Sequence, residues 1–411
     1  MVEMNLGERI ENKLNLLAEV SKIDDIIWRA AYTPEYEAAK KLIKKWAVES
    51  GLDMREDSVG NLYVSIRGKT KETILVASHL DTVRDGGKYD GAAGIICGLV
   101  ALQELKSEGF SPELNLELVA LLEEEGSRFS SSCHGSCAIC GTFDFAALDE
   151  CDRDGVSFRE AMTASGYFPE DIGSAKRDDI FSVIELHIEQ GPYLEDNGMD
   201  IGIVDAIVGI VTYDIVIEGQ QNHAGTTPMN MRLDPVTEMA GFVTKVTNKA
   251  IALGTPTATF GYIRSFPGML NVIPNRIEMT LDVRDGDEEI LRDFEEKIKS
   301  ELDLISQKGF KTDVNRTQWS PPVSMNIELG KIIERTCKKL NLNYCHMNSG
   351  AGHDSMVFGK KFKTAMIFVP SRDGISHHRD EYTSPAQLEK GCLLLKELLI
   401  ELATKNTKNI I

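Results

Sequence analysis

Between residues 34 and 50 (PEYEAAKKLIKKWAVES) apolar positions recur at helical spacing, with Pro34 near the start and Gly51 just past the end, which predicts a helix. A strand pair is predicted next, NLYVSIRG at 61–68 and ETILVASHL at 72–80, the second apolar enough to be buried on both faces. The segment 91–109, GAAGIICGLVALQELKSEG, predicts a helix whose small residues let it lie close to a sheet. After it, NLELVALLEEE at 115–125 reads as a buried strand that ends in acid. Strand, helix and strand at these lengths predict an α/β sheet with crossover helices, in which ligands gather at the carboxyl ends of the strands.

The pattern changes near Thr212. TYDIVIEG (212–219) alternates, AGFVTKVTNKAIALG (240–254) is helical, ATFGYIRSF and NRIEMTLDVRD read as strands, and a charged helix at 287–309 leads into KTDVNRTQW. That succession is β-α-β-β-α-β, the order of a ferredoxin-like domain. A helix near 326–340, the Gly-rich turn SGAGHDS, the strand TAMIFVP (364–370) and a last helix from about 385 to 403 then return to the first texture. The expected organisation is a discontinuous α/β domain, 1–209 and 321–411, interrupted by an inserted α+β domain, 210–320.

With 411 residues and 42% hydrophobic content, the chain has material for two well-packed cores. Its formal charge of −19 argues against nucleic acid or anionic membrane as partners, because binding to phosphate needs an excess of Lys and Arg. No stretch approaches 18 uninterrupted apolar residues and the start, MVEMNLGERIENKL, has no apolar signal core, so a cytoplasmic protein is expected. The eight cysteines are then expected as free thiols. Cys133, Cys137 and Cys140 do stand at the CxxxCxxC spacing of an iron–sulfur site used in radical chemistry. Nothing nearby supplies the context for such a cluster, and a Ser/Cys-rich loop passing into a helix is the expected reading.

Five fragments carry candidate chemistry: SHLDTV (78–83), KYDGAAG (88–94), LEEEGSRF (122–129), ELHIEQGP (185–192) and GISHHRDEYT (374–383). Together they offer imidazoles, a carboxylate placed to bridge and a spare carboxylate for base duty, the parts of a two-metal hydrolase. His79, just after a strand, is a natural ligand, and Asp81 two residues on can share its face and orient the ring. Asp90 begins a helix rich in small residues, where its carboxylate can bridge two cations; a simple N-cap is the alternative. Glu123, Glu124 and Glu125 follow an apolar strand, and three packed like charges are costly unless a cation neutralises them or one stays protonated. A division of labour answers this, with Glu125 binding metal and Glu124 taking the proton of a water whose pKa a divalent ion lowers toward ~7. His187 ends another strand-like run, with Gln190 placed to line a pocket. Spacing alone does not decide between His377 and His378.

With NHAGTTPM (222–229) and SGAGHDS, these fragments resemble the amidase, hydantoinase and carbamoylase branch of the M20 metallopeptidase-like enzymes, from about residue 33 to the last helix. That branch includes N-carbamoyl-L-amino-acid hydrolases, allantoate amidohydrolases and ureidoglycolate hydrolases. The resemblance implies a metallo-exopeptidase-like catalytic domain whose inserted ferredoxin-like domain is both lid and dimerisation surface. It implies that His79, Asp90, Glu125, His187 and His377 hold two divalent ions, with Asp90 bridging and Glu124 as general base. Zinc is the usual ion, with manganese, cobalt or nickel able to substitute. His377 is chosen because the branch keeps its ligand in a Ser-His pair, here Ser376-His377. His223 is implied to reach the other subunit's active site in a homodimer and stabilise the oxyanion. Asn271 and Arg284 match a pair that grips the substrate carboxylate, assisted by Gln190 and the backbone near Gly352; a guanidinium meets a carboxylate with two parallel hydrogen bonds.

Two positions depart from the branch. Cys137 follows Gly135-Ser136 where Lys or Arg is common, and His378-Arg379 replaces Asn-Pro. The expected reaction is hydrolysis of a linear ureido C–N bond in a small carboxylate-bearing substrate. An N-carbamoyl-L-amino acid is the first choice, allantoate or ureidoglycolate the next, and a peptide the most distant.

Overall fold

Four parallel strands, in the order Lys363–Val369, Ile180–Ile188, Thr73–His79 and Asn115–Leu121, lie at the centre of a nine-stranded sheet in the computed structural model. They are buried over most of their length, which is why they read as continuous apolar runs. Leu62–Ile66 and then Asp53–Glu56 extend the sheet antiparallel beyond Asn115–Leu121, and Ile201–Ile207 pairs antiparallel with Lys363–Val369. The two strands expected as a pair are therefore not neighbours, because Asn115–Leu121 lies between Leu62–Ile66 and Thr73–His79. The crossover helix Ala92–Ser107 carries the chain back and inserts that third strand between the first two. This helix is buried on nearly every side, packed on the sheet and against the last helix, Pro385–Leu402.

Capping fixes where these helices begin. The Thr33 side chain accepts from Tyr36 N–H at the start of Pro34–Glu49, and Ser384 with Gln387 forms a capping box at the start of Pro385–Leu402. A further helix, Leu6–Val20, rises from the charged start behind a capping box of Asn5 and Glu8. The structure describes residues 4–404; residues 1–3 and 405–411, part of the expected first domain, lie outside the described residues. No helix among the described residues is long and apolar enough to cross a membrane.

Two compact units divide the chain. One runs to Asp205 and takes up again with Met325–Met347 and from Ala351 onward; the other is Ala206–Ser324 with Asn348–Gly350. The second unit has the β-α-β-β-α-β succession, with a four-stranded antiparallel sheet ordered Thr257–Phe266, Arg276–Asp285, Gly209–Glu218 and Lys311–Ser320. Burial alternates residue by residue along Arg276–Asp285, as a sheet with one covered face requires. Phe242 of the helix Pro235–Leu253 and Phe294 of Glu288–Ser306 fill that covered face, and each such burial stabilises by about 1.5–3 kcal/mol. The short segment 348–350 goes with this unit through hydrogen bonds no local pattern announces. Val208 N–H donates to Ser349 O at 3.0 Å, and Arg284 Nη1 to Gly350 O at 3.2 Å.

Candidate active site

All four parallel strands deliver residues to one edge of the sheet, at their carboxyl ends. Thr73–His79 ends on His79, and His187 is the last residue but one of Ile180–Ile188. Asn115–Leu121 stops before the three glutamates, which lie in a turn with Glu123 at φ 51°, and His377, at φ 53°, follows Lys363–Val369. Asp90 precedes the helix Ala92–Ser107. His79, Asp90, Glu124 and His187 are buried, while the His377 side chain is half-exposed.

Backbone carbonyls pin the two buried imidazoles from behind. His79 Nδ1 lies 3.1 Å from Asp81 O, and His187 Nδ1 2.9 Å from Ile188 O. A carbonyl only accepts, so each ring places a proton on Nδ1 and turns Nε2 toward the cavity. These Nε2 atoms stand 3.3 Å apart, and lie 3.2 Å (His79) and 3.1 Å (His187) from Asp90 Oδ1. The other oxygen, Asp90 Oδ2, is 3.3 Å from His377 Nε2, which is 3.4 Å from Glu125 Oε2. Three groups gather potential ligand atoms within 4.8 Å among the described residues. Asp90 is shared by two of these half-sites, His79/Asp90/His187 and Asp90/Glu125/His377, and the third group is His79/Glu124/Glu125.

Burial opposes charge on His79, but the carboxylates around it, Glu124 foremost, hold its pKa well above the usual imidazole range. The surroundings therefore call for positive charge at this point. A shared proton would answer two of these atoms, whereas a divalent ion would meet both Nε2 atoms and Asp90 Oδ1 together. Glu125 Oε1 is also buried without a hydrogen-bond partner. A nitrogen and oxygen donor set without thiolate suits zinc, manganese, cobalt or nickel. These residues fit divalent metal.

The glutamates divide in space. Burial raises Glu123 to about 8, and its Oε1 accepts from Arg128 and Phe129 N–H at 3.1 Å each, so it shapes the loop behind the cavity. Burial, then Asp90, raises Glu125 to about 7. Glu124 faces the cavity with Oε2 3.9 Å from His79 Nε2, and burial pushes its carboxyl well above the carboxylate range. Asp81 acts differently from the expected imidazole–carboxylate contact. Its Oδ1 is 3.8 Å from His79 Nδ1, while its two oxygens accept from Glu124 and Glu125 N–H at 3.0 Å each. The neighbouring strand brings those amides to it, so the main chain of Asp81 orients the ring and its side chain holds the acidic turn.

A cavity of about 260 Å³ opens on the cluster, with Gln190, Cys133, Ala351, Gly352, His353 and Met356 on its other walls. Gln190 Nε2 donates to Asp90 Oδ2 at 2.8 Å, and its Oε1 is buried and unpartnered. His353 stands edge-on to His187, with ring centroids 4.6 Å apart. His378 points instead to Asp380, at 3.6 Å. Cys133 caps the short helix His134–Cys140, and no cysteine joins a group of metal-ligating atoms among the described residues. All eight cysteines are free. Cys133 and Met356 gave no sign of a pocket role in the sequence, since an isolated sulfur side chain carries no spacing signal.

In the second unit, Asn222–His223 pairs with Val272–Ile273, and Ala224 N–H donates to Asn271 O at 3.0 Å, so His223 and Asn271 are neighbours. Gly225 N–H donates to His223 Nδ1 at 3.0 Å, which leaves Nε2 as the donor of that exposed ring. Arg284 lies near the far end of Arg276–Asp285, about 25 Å away at ~3.3 Å per strand residue. Its Nε and Nη2 meet the Asp282 carboxylate at 3.0 and 3.1 Å.

Gly91 is the tightest point of the cluster. At φ 61°, an added Cβ would come within 2.5 Å of the His79 ring. Gly91→Ala is expected to destabilise the protein by about 1–3 kcal/mol and to displace His79, seen as a lower Tm together with reduced metal uptake by the stripped protein. Full metal uptake at unchanged Tm would contradict the close packing described.

Residues 75–401 match the model of peptidase family M20/M25/M40. The chain belongs to that family. This M20 protein is 39% identical to allantoate amidohydrolase of Escherichia coli (strain K12), over 91% of this chain and 92% of that one. It is 38% identical to N-carbamoyl-L-amino-acid amidohydrolase of Paenarthrobacter aurescens, over 94% of this chain and 95% of that one. A solved amidase of the hydantoinase/carbamoylase family from Burkholderia multivorans matches with a TM-score of 0.88 at 30% identity, covering 97% of this chain and 98% of that chain. The M20 protein is a hydrolase that acts on C–N bonds.

Proposed function

We propose that this M20 hydrolase cleaves a linear ureido C–N bond in a small carboxylate-bearing substrate, using two divalent ions. His79, Asp90 and His187 would hold one, and Asp90, Glu125 and His377 the other. The observation that carries the reading is Asp90, whose two oxygens each face a different set of ligand atoms. Divalent ions held there supply a lowered water pKa and a polarised carbonyl. Zinc is the proposed ion.

Glu124 lines the cavity next to Glu125 and is the proposed general base. It takes the proton of the attacking water and passes it to the leaving nitrogen. Gln190 Oε1, buried and unspent, accepts from a substrate N–H. His223 offers its Nε2–H to the oxyanion, a contribution that can reach several kcal/mol. Since Asn271 stands beside His223 and some 25 Å from Arg284, both can grip one carboxylate only if two chains contribute. That supports a homodimer in which the inserted unit serves as lid and lends His223 and Asn271 in trans.

An N-carbamoyl-L-amino acid is the proposed substrate, giving the amino acid, ammonia and carbon dioxide. The uncharged walls of Cys133, Ala351 and Met356 support a substituent without charge. Allantoate is the second reading, favoured by the relative at 39% identity. Ammonia release by metal-loaded enzyme, measured across ureido acids with dipeptides scored for amine release in parallel, tests the proposal. Ureido cleavage lost to a chelator bears it out; dipeptide cleavage alone overturns it. Arg284→Ala is expected to lower kcat/KM on the carboxylate substrate by roughly 10- to 100-fold, the worth of a charged hydrogen-bonded pair. Ureas that lack a carboxylate should be cleaved equally by both proteins, and an equal loss on them would remove Arg284 from the carboxylate site.

A further inference from the structure

We propose that Glu381 is a positioning residue that holds the two loops of the metal centre in register; the inference rests on reading Asp90 and His377 as ligands. Glu381 is buried, 4% exposed, four residues beyond His377. Its Oε1 accepts from Tyr89 N–H at 2.8 Å and from Asp90 N–H at 3.0 Å. Its Oε2 lies 3.0 Å from Ser376 Oγ, and that hydroxyl is also 3.0 Å from Asp90 Oδ2. One carboxylate therefore fixes the main chain at Asp90 and, by its contact with Ser376, the residue next to His377. These loops lie far apart in the sequence, and the two oxygens of Asp90 can serve their two half-sites only while the loops keep this spacing.

The chain makes room for the contact. A Cβ at Gly87 would fall within 2.1 Å of Glu381 Oε1 and 2.5 Å of its Cβ, so any larger residue at 87 would push the carboxylate off the Tyr89 and Asp90 amides. Glu381 N–H donates to His378 O at 3.0 Å and closes the turn that carries the acid back to Asp90. The arrangement asks for two acceptor positions toward the amides and a polar atom opposite Ser376, and glutamine supplies both. Its Oε1 keeps the two amides, and its Nε2 donates to Ser376 Oγ, which then donates to Asp90. Alanine removes all three contacts and leaves two buried N–H groups without an acceptor.

Chelator-stripped wild type, Glu381→Gln, Glu381→Ala and Gly87→Ala would each be titrated with Co²⁺, followed by calorimetry and by the visible cobalt spectrum, with Tm recorded on the stripped proteins. Wild type is expected to take up two ions per chain, and Glu381→Gln to match it within about threefold. Glu381→Ala is expected to lose about 10- to 100-fold in affinity for at least one ion, the usual scale for residues that orient ligands, with a changed cobalt spectrum. Gly87→Ala, which displaces the carboxylate without deleting it, should show the same loss and keeps the test open if Glu381→Ala does not fold. Wild-type cobalt binding in Glu381→Ala or Gly87→Ala, whatever happens to Tm, overturns the proposal. Failure of Glu381→Gln to restore binding overturns it as well. A wild-type protein that takes up no cobalt would instead sink the metal reading itself, and this inference with it.

Discussion

Glu124→Gln is expected to lower turnover by about 10²- to 10⁴-fold, the usual worth of a positioned general base, while metal content stays at the wild-type level. Glutamine has the shape of glutamate and keeps the cavity filled, but it cannot take a proton from water or return one to a leaving nitrogen. The substitution leaves its surroundings in place. The main chain at 124 is held by Asp81 Oδ1 at 3.0 Å, and the following loop by Glu123 through the Arg128 and Phe129 amides. Metal analysis and steady-state kinetics on the same preparation separate the two functions. Turnover near that of the parent protein would remove Glu124 from the base role.

Asp90→Asn is expected to act one step earlier, on the centre itself. Asparagine replaces one oxygen with an N–H₂ group, and that group would face unprotonated imidazole nitrogens in one of the half-sites. The variant also loses the one negative charge that three imidazoles surround and that they hold well below the usual carboxylate range despite its burial. Metal stoichiometry should fall below two ions per chain. The loss of several kcal/mol of electrostatic stabilisation corresponds to at least about a thousandfold in turnover. Glu124→Gln and Asp90→Asn thus give opposite patterns, metal kept with turnover lost against both lost together. An Asp90→Asn protein that retained two ions and full turnover would show that the carboxylate does not bridge.

Elements whose burial is periodic or complete were readable in the chain. Arg276–Asp285 alternates because one face is covered, and Thr73–His79 is apolar throughout because both faces are. Asp53–Glu56, with sequence DMRE, gave no signal, since it lies at a sheet edge and is mostly exposed. Tyr344–Ser349 is likewise mostly uncovered, and Ile201–Ile207 is the exception, a buried strand that the sequence reading does not predict. Strand order was beyond reach as well, because apolar runs state that a strand is buried but not which edges meet. The site shows the same division. Histidines at strand ends announce themselves, whereas the turn of Asp81 toward the Glu124 and Glu125 amides depends on chain some forty residues away. Glu381 carries no mark of its own in GISHHRDEYT, and only the fold sets it against Tyr89 and Asp90.

The discontinuity of the parallel sheet has a consequence for how the protein is made. Lys363–Val369 completes the outer edge of Ile180–Ile188, yet it leaves the ribosome some 175 residues later, roughly ten to thirty seconds at ordinary translation rates. Through that interval the inserted unit, with its own core, can already have folded. The strand carrying His187 meanwhile presents an unpaired apolar edge, the kind that recruits strands from other nascent chains. A sheet that collects its strands from distant parts of the gene keeps an open edge until the last of them is made.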